Sequence, residues 1–175
     1  MSDPDRLRAL IAPLRTAMAN FDPASVQSAL GRVMAADATV HLCHPFGDLS
    51  GRQELYDVAY APLFNALPDL ERRDWIVSAG TDSGGHDWIG CAGHYVGTFT
   101  RPFLDIPPTG HFAHMRFHEF YRFEGGKIVE MQAIWDLPEL MMQAGAWPMA
   151  PSLGREFCVP APMTQDGLSD HDARA

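Results

Sequence analysis

Glycine-containing turns divide the second half of this chain into long segments that are typical of antiparallel strands. Gly84-Gly85 and Gly125-Gly126 each separate two runs rich in β-branched and aromatic residues, as in β-hairpins. A longer connection with three prolines, residues 101–110, joins the two hairpins. The predicted strands are residues 70–79, 86–98, 111–124 and 127–136. Four long strands in succession predict one antiparallel sheet that must cover a core with at least one face.

The first half of the chain predicts helices. Apolar residues recur at helical spacing in a first helix, at Leu7, Leu10, Ile11, Leu14 and Met18. Asp22-Pro23 marks the start of a second helix, whose apolar residues are Val26, Leu30, Val33 and Met34. A short strand near residues 38–43 and a helix over 52–66, interrupted by Pro62, follow. Helices followed by strands predict an α+β fold, with a strongly curved, mixed but mostly antiparallel sheet wrapped around the N-terminal helices as a cone-shaped barrel.

Charge and cysteine content narrow the possible partners. The formal net charge is −9 and no Lys/Arg cluster occurs, which argues against nucleic acid and anionic membranes as partners. Three widely spaced cysteines favour reduced thiols. The amino-terminal segment is charged and amphipathic, and no apolar run approaches the length of a membrane span. We therefore expect a cytoplasmic protein.

Ionisable side chains interleaved with aromatic ones indicate that the last two strands line a pocket. Glu119 shares a strand face with Phe117 and Tyr121 by the period of two, so it is either a buried catalytic acid or part of a structural ion pair with Arg122 or Arg116. Asp136 follows Trp135, and desolvation there would favour proton transfer. The alternative is that Asp136 caps the short helix predicted to start near Pro138 and to end at Gly145.

Two histidines complete the candidate catalytic set. His118 lies on the other face of the strand with His114 and Arg116, a face that would form an oligomer interface, unless a bulge exchanges the two faces and makes His118 an acid/base group. His94, next to Tyr95, is either a polar group of the pocket or a structural histidine. The residues predicted to bind a substrate are Trp75, Tyr95, Phe117, Tyr121, Met131 and Trp135.

Histidine spacing argues against a catalytic metal. His114 and His118 would be about 13 Å apart on a strand at roughly 3.3 Å per residue, too far for shared zinc ligation. His41 and His44 would point to opposite faces. Spacing leaves open a site assembled from different strands. The sequence contains no phosphate-binding loop or dinucleotide fingerprint in the required context, so we expect neither a metal nor a cofactor.

The segment GTFTRPFLDIPPTGH, with FHEFYRFEGGKIVEMQAIWDLPELMMQAGAWP downstream, resembles the SnoaL-like polyketide cyclases of the nuclear transport factor 2-like (cystatin-like) fold. The resemblance covers roughly residues 5–147 and is most specific in its last third. It implies a cone-shaped apolar cavity, a homo-oligomer built on the sheet, and aldol ring closure without metal or cofactor by a pocket aspartate. The position matching that aspartate is Ala133, the position matching a pocket histidine is Glu119, and Asp136 matches another acidic position.

Together these features predict a SnoaL-like domain over residues 1–148 and an extended, proline-containing tail over 149–175. The leading hypothesis is cofactor-free acid/base chemistry, of the cyclase or isomerase type, on a small and largely apolar carbonyl compound. The alternative is a non-catalytic protein that binds a metabolite in the same cavity. Strand 111–124 carries apolar residues on both faces, so we expect a homodimer formed through the outward face of the sheet.

Overall fold

The structure is a computed structural model that describes residues 4–151 and 153–158. Its helices are α1 (Pro4–Ala19), α2 (Pro23–Val33), α3 (Gly51–Leu55), α4 (Ala61–Ala66) and α5 (Leu137–Gln143), with a π-helical turn, Tyr56–Tyr60, between α3 and α4. Its strands are β1 (Met34–Leu42), β2 (Asp48–Ser50), β3 (Glu71–Thr81), β4 (Asp87–Thr98), β5 (Phe112–Glu124) and β6 (Lys127–Trp135). Residues 159–175, most of the predicted tail, lie outside the described residues.

The six strands form one mixed sheet in the order β2-β1-β6-β5-β4-β3. β1 runs parallel to β6, and the other neighbouring pairs are antiparallel. The predicted α+β class is confirmed, and the parallel pair explains why the sheet is mixed. The sheet is open, because β2 and β3 are edges that do not pair with each other. It is therefore not a closed barrel.

The N-terminal helices cover the inner face of the sheet. Four of the apolar residues predicted for α1 are almost fully buried, namely Leu7, Ile11, Leu14 and Met18, and burial of each stabilises the fold by about 1.5–3 kcal/mol. The side chain of Asp22 caps α2 by accepting a 2.8 Å hydrogen bond from the Ser25 amide. Within the part of the chain that the structure describes, no helix is long and apolar enough to span a membrane.

The structure corrects the boundaries around the first strand. β1 begins at Met34, which pairs with Ile128, although periodicity had placed Met34 on α2 and the strand near residue 38. A second short strand, β2, which the sequence did not predict, lies between β1 and α3. The helix predicted over 52–66 is interrupted by the π-helical turn Tyr56–Tyr60, and Pro62 lies in the first turn of α4.

A bulge sets the register of the last hairpin. Arg122 pairs with Glu130 and Phe123 with Ile128, so Val129 is the extra residue. Glu119 therefore faces Ala133, whereas counting outward from the turn had placed it opposite residues 130–132. The extra residue advances β6 relative to β5 and accounts for the difference.

Gly93 permits a close approach of two strands. A Cβ atom at Gly93 would lie 2.0 Å from the backbone oxygen of Arg73 and 2.9 Å from Cα of Asp74. The register of β3 and β4 shifts between Asp74 and Ile76, so Trp75 is an extra residue on β3 opposite Gly93. Gly93 is thus required where β3 bends.

Replacing Gly93 by alanine should therefore lower the free energy of unfolding by about 2–3 kcal/mol, because the clash is with backbone. Gly90→Ala is the matched control, since its Cβ would meet the half-exposed and movable ring of Phe120 at 3.0 Å. Its cost should be about 1 kcal/mol or less. Urea unfolding measures the free energy of unfolding of both variants. Equal losses of stability would show that backbone crowding at the bulge is not the reason for glycine at position 93.

Candidate functional site

The carboxylate of Glu119 is the centre of a polar cluster inside the apolar core. Glu119 is 0% exposed. Its Oε1 accepts hydrogen bonds from the Tyr95 hydroxyl at 2.8 Å and the Trp135 indole N–H at 2.9 Å. Its Oε2 accepts from Nη1 of Arg72 and the Tyr121 hydroxyl, both at 2.5 Å. All four groups donate, so Glu119 acts only as an acceptor, as an ionised carboxylate does. We call these residues the Glu119 cluster: Arg72, Tyr95, Glu119, Tyr121 and Trp135.

Arg72 supplies the positive charge of the Glu119 cluster. Its Nε donates to Asp74 at 3.0 Å, and Arg15 pairs with the other oxygen of Asp74 at 2.8 Å. Its guanidinium lies over the ring of Phe117, 4.2 Å from the centroid. Burial alone would lower the pKa of Arg72, but Glu119, with Tyr121 and Asp74, raises this pKa well above its usual value. The guanidinium is therefore charged, and it holds the buried carboxylate in place.

A third tyrosine lies beside the Glu119 cluster without joining it. Tyr60 comes from the π-helical turn and stacks on Trp135, with ring centroids 6.0 Å apart. Its hydroxyl is buried, near those of Tyr95 and Tyr121, yet it has no well-formed hydrogen bond to any described residue. Burial raises the pKa of all three tyrosines above the usual value. At neutral pH each is therefore a neutral O–H donor.

Strand alternation explains how the sequence builds this cluster. Phe117, Glu119 and Tyr121 occupy the inner face of β5, as the period of two predicts. The lateral neighbours of Glu119 are Cys91 on β4 and Ala133 on β6. Both are short, which leaves room for longer side chains to reach the carboxylate. Glu119 is thus paired across the strands with Ala133, the position where the resemblance places the aspartate of the cyclases.

Asp136 has the structural role weighed as its alternative. Its carboxylate accepts a 3.1 Å hydrogen bond from the Glu139 amide and caps α5. Its own amide donates to the backbone oxygen of Arg116 at 2.8 Å. None of the four donors to Glu119 is shared with Asp136, so the structure does not join the two predicted acids into one hydrogen-bonded site.

Three other predicted site residues lie on the outer face of the sheet. His118 is exposed, so no bulge brings it to the inner face. His94 is buried on the outer side, where Trp75 packs against its ring at 4.1 Å and Glu156 accepts from its Nε2 at 2.6 Å. Burial lowers the pKa of His94. Trp75 thus packs on His94 and does not line the inner face, where Tyr95, Phe117, Tyr121, Met131 and Trp135 are all buried as predicted.

The arginine partner of Glu119 was not found from the sequence. Arg122 instead pairs with Glu130 at 2.8 Å and with Glu124, and Arg116 pairs with Glu156 at 2.6 Å. The available signal was the alternation of Arg72 and Asp74 along β3, because two opposite charges at a spacing of two share a strand face. Among the described residues, no three His, Cys, Asp or Glu side chains converge in a way that could hold a metal ion.

The sequence profile of a protein family described as SnoaL-like polyketide cyclase matches residues 12–144 of the chain. No curated protein sequence matches it.

The fold is shared with several solved structures. AclR from Streptomyces galilaeus, a candidate hydroxylase, is 19% identical with a TM-score of 0.67, over 85% of this chain and 91% of that one. IdmH from Streptomyces antibioticus, a candidate polyketide cyclase, is 23% identical with a TM-score of 0.64, over 80% and 99%. An NTF2-like protein from Burkholderia thailandensis is 21% identical with a TM-score of 0.57, over 83% and 98%. At these identities the likenesses establish the fold alone, which is NTF2-like.

Proposed function

Because the chain belongs to the SnoaL-like polyketide cyclase family, we propose that it is a cofactor-free cyclase or isomerase. Its substrate is a small, largely apolar compound with a carbonyl group, and its active site is the Glu119 cluster together with Tyr60. The family and the NTF2-like fold support an enzyme that acts on small molecules. The choice of substrate class and of residues rests on the chemistry of the buried groups.

The observation that carries this proposal is the buried hydroxyl of Tyr60, which has no well-formed hydrogen bond to a described residue, beside the carboxylate of Glu119. An unsatisfied buried hydroxyl is unfavourable, and a substrate carbonyl oxygen would satisfy it. Tyr60 then stabilises the negative charge that develops on that oxygen when an α-proton leaves. Glu119 receives this proton through the hydroxyl of Tyr95 or Tyr121, each of which passes on its own proton as it takes the substrate's.

A substrate needs a path to a cluster that is closed to solvent. Phe46 is half-buried on the loop after β1, and its ring packs against those of Trp135 at 5.5 Å and Phe103 at 6.3 Å. Movement of Phe46 would expose the indole whose N–H contacts Glu119. We therefore place the entrance between this loop and the segment that contains Phe103.

One observation favours the alternative function of a non-catalytic binding protein. Each of the two carboxylate oxygens of Glu119 already accepts two hydrogen bonds. A carboxylate so fully paired can serve purely to organise tyrosine hydroxyls around a bound metabolite. In that case a carbonyl compound would bind at Tyr60 without proton transfer.

Exchange of α-protons in D2O separates the two functions. Apolar ketones such as 2-tetralone are incubated with the protein, and loss of the α C–H signal is followed by proton NMR. An acid/base enzyme should accelerate exchange at least about tenfold over buffer, since one positioned acid/base group contributes roughly 10²–10⁴-fold with its own substrate. Saturable ketone binding with exchange at the buffer rate would establish the binding protein instead.

We also propose that the chain forms a homodimer through the outer face of the sheet. Ile76, Phe120 and Ile134 are 41%, 49% and 66% exposed there, and Phe120 and Ile134 lie on the adjacent strands β5 and β6. Ile134→Glu should shift sedimentation at micromolar concentration from dimer to monomer, because it places a charge in a desolvated interface. Val58→Glu, at a helical residue that is 39% exposed, is the control. A wild-type monomer would contradict this proposal.

A further inference from the structure

A cavity of about 560 Å³ lies outside the core, between the start of β5, α5 and the segment that follows α5. His114 forms part of its floor and belongs to the outer face of β5, opposite to Glu119. Its apolar walls include Met142, Trp147 and Phe157, and its carboxylates belong to Glu139 and Glu156. The cavity is therefore separate from the Glu119 cluster.

Specific hydrogen bonds hold the walls of this outer cavity. The Gln143 side chain donates to the backbone oxygen of His114 at 2.7 Å and accepts from its amide at 3.1 Å, which fixes α5 beside the strand. The Trp147 indole N–H donates to Ala150 O at 3.2 Å. Glu156 binds His94 and Arg116, each at 2.6 Å. The aromatic and acidic walls are thus pre-formed, which lowers the entropic cost of binding a ligand.

The two carboxylates of the outer cavity differ in their partners. Glu156 is neutralised by Arg116, whereas no lysine or arginine of the described residues pairs with Glu139, whose Oε1 accepts from Gln143 at 3.2 Å. Arg155 also lines the cavity but is exposed to water at the rim. Nδ1 of His114 is buried and has no partner among the described residues, so it is available to a ligand. These groups favour a positively charged ligand over an anion.

We propose that the outer cavity binds a small organic cation, a substituted ammonium ion. Glu139 serves as its counter-ion, and Trp147 and Phe157 present aromatic side chains to its charge. An ammonium ion is attracted to the faces of aromatic rings, most strongly to tryptophan. A charged nitrogen with apolar substituents matches both the carboxylate and the methionine and aromatic walls. A neutral apolar ligand would bury the Glu139 carboxylate without supplying an opposite charge.

Choline and its uncharged isostere 3,3-dimethylbutan-1-ol test this proposal, since the two differ in charge but hardly in shape. Each is titrated into the full chain while the indole N–H signals of Trp147 and Trp135 are followed by NMR. Choline should shift the Trp147 signal saturably and bind at least about tenfold more tightly than the alcohol. Glu139→Gln should weaken choline binding about tenfold, equivalent to about 1.4 kcal/mol, and Trp147→Ala should weaken it similarly.

Glu124→Gln, on the exposed hairpin, is the control and should leave choline binding unchanged. Glu139→Gln should also leave ketone exchange at the wild-type rate. A loss of choline binding with normal exchange therefore tests the outer cavity separately from the proposed enzymatic activity. Equal affinities for choline and the alcohol, or unchanged choline binding in Glu139→Gln, would overturn the proposal. A choline-induced shift confined to Trp135 would also overturn it, because the cation would then bind in the core.

Discussion

Replacing Glu119 by glutamine should lower the free energy of unfolding by about 3–5 kcal/mol, the usual cost of removing one partner of a buried ion pair. The side chain of Glu119 is 0% exposed and that of Arg72 is 1% exposed, so solvent cannot replace the lost charge. An amide also has only one oxygen, whereas four donors converge on the carboxylate. At least one donor then faces an NH2 group and loses its acceptor.

Urea unfolding measured beside Glu124→Gln tests this expectation. Glu124 lies on the same strand, but it is exposed, and its ion-pair partner among the described residues is the half-buried Arg122. Its substitution should change the free energy of unfolding by no more than about 0.5 kcal/mol. Similar small values for both variants would show that water reaches Glu119 or that Asp74 alone satisfies Arg72.

Replacing Tyr60 by phenylalanine should separate activity from stability. If the Tyr60 hydroxyl donates to the substrate oxygen, its removal should bring ketone exchange close to the buffer rate, since loss of an oxyanion donor typically costs about a hundredfold in catalysis. The same hydroxyl has no well-formed hydrogen bond to a described residue. Its removal should therefore leave the free energy of unfolding unchanged or raise it by about 1 kcal/mol.

Tyr56→Phe is the matched control, because Tyr56 belongs to the same π-helical turn and is also buried. It should preserve both exchange and stability. A Tyr60→Phe protein that is destabilised by 2 kcal/mol or more would show that the hydroxyl has a structural partner. One with normal stability and normal exchange would remove Tyr60 from the active site.

Local periodicity was sufficient to predict the helices, the long strands and the inner face of β5. The burial of Glu119 beside Phe117 and Tyr121 follows directly from alternation along one strand. Helix capping explains Asp136 in the same local way, since Asp-Leu-Pro is a common helix start. These features depend on residues that are close in sequence.

Features that depend on residues far apart in sequence could not be predicted in this way. Arg72 and Glu119 are 47 residues apart in sequence, and His94 and Glu156 are 62 residues apart. No local pattern predicts either contact. The bulge at Val129 changes the register without a glycine or proline to signal it. The outer face of β5 also packs against α5 and the segment after it, and the sequence of that segment has no periodicity to predict this contact.

The carbonyl carbon of bound ketone gives the most direct test of the proposed active site. 2-Tetralone labelled with ¹³C at its carbonyl is bound to wild-type protein and to Tyr60→Phe, and its ¹³C shift is measured at saturation. Hydrogen bonding withdraws electrons from a carbonyl carbon, so the resonance should lie downfield in wild-type protein and move upfield in the variant. Identical carbonyl shifts in the two saturated proteins would contradict the assignment of Tyr60 and the Glu119 cluster as the site of chemistry.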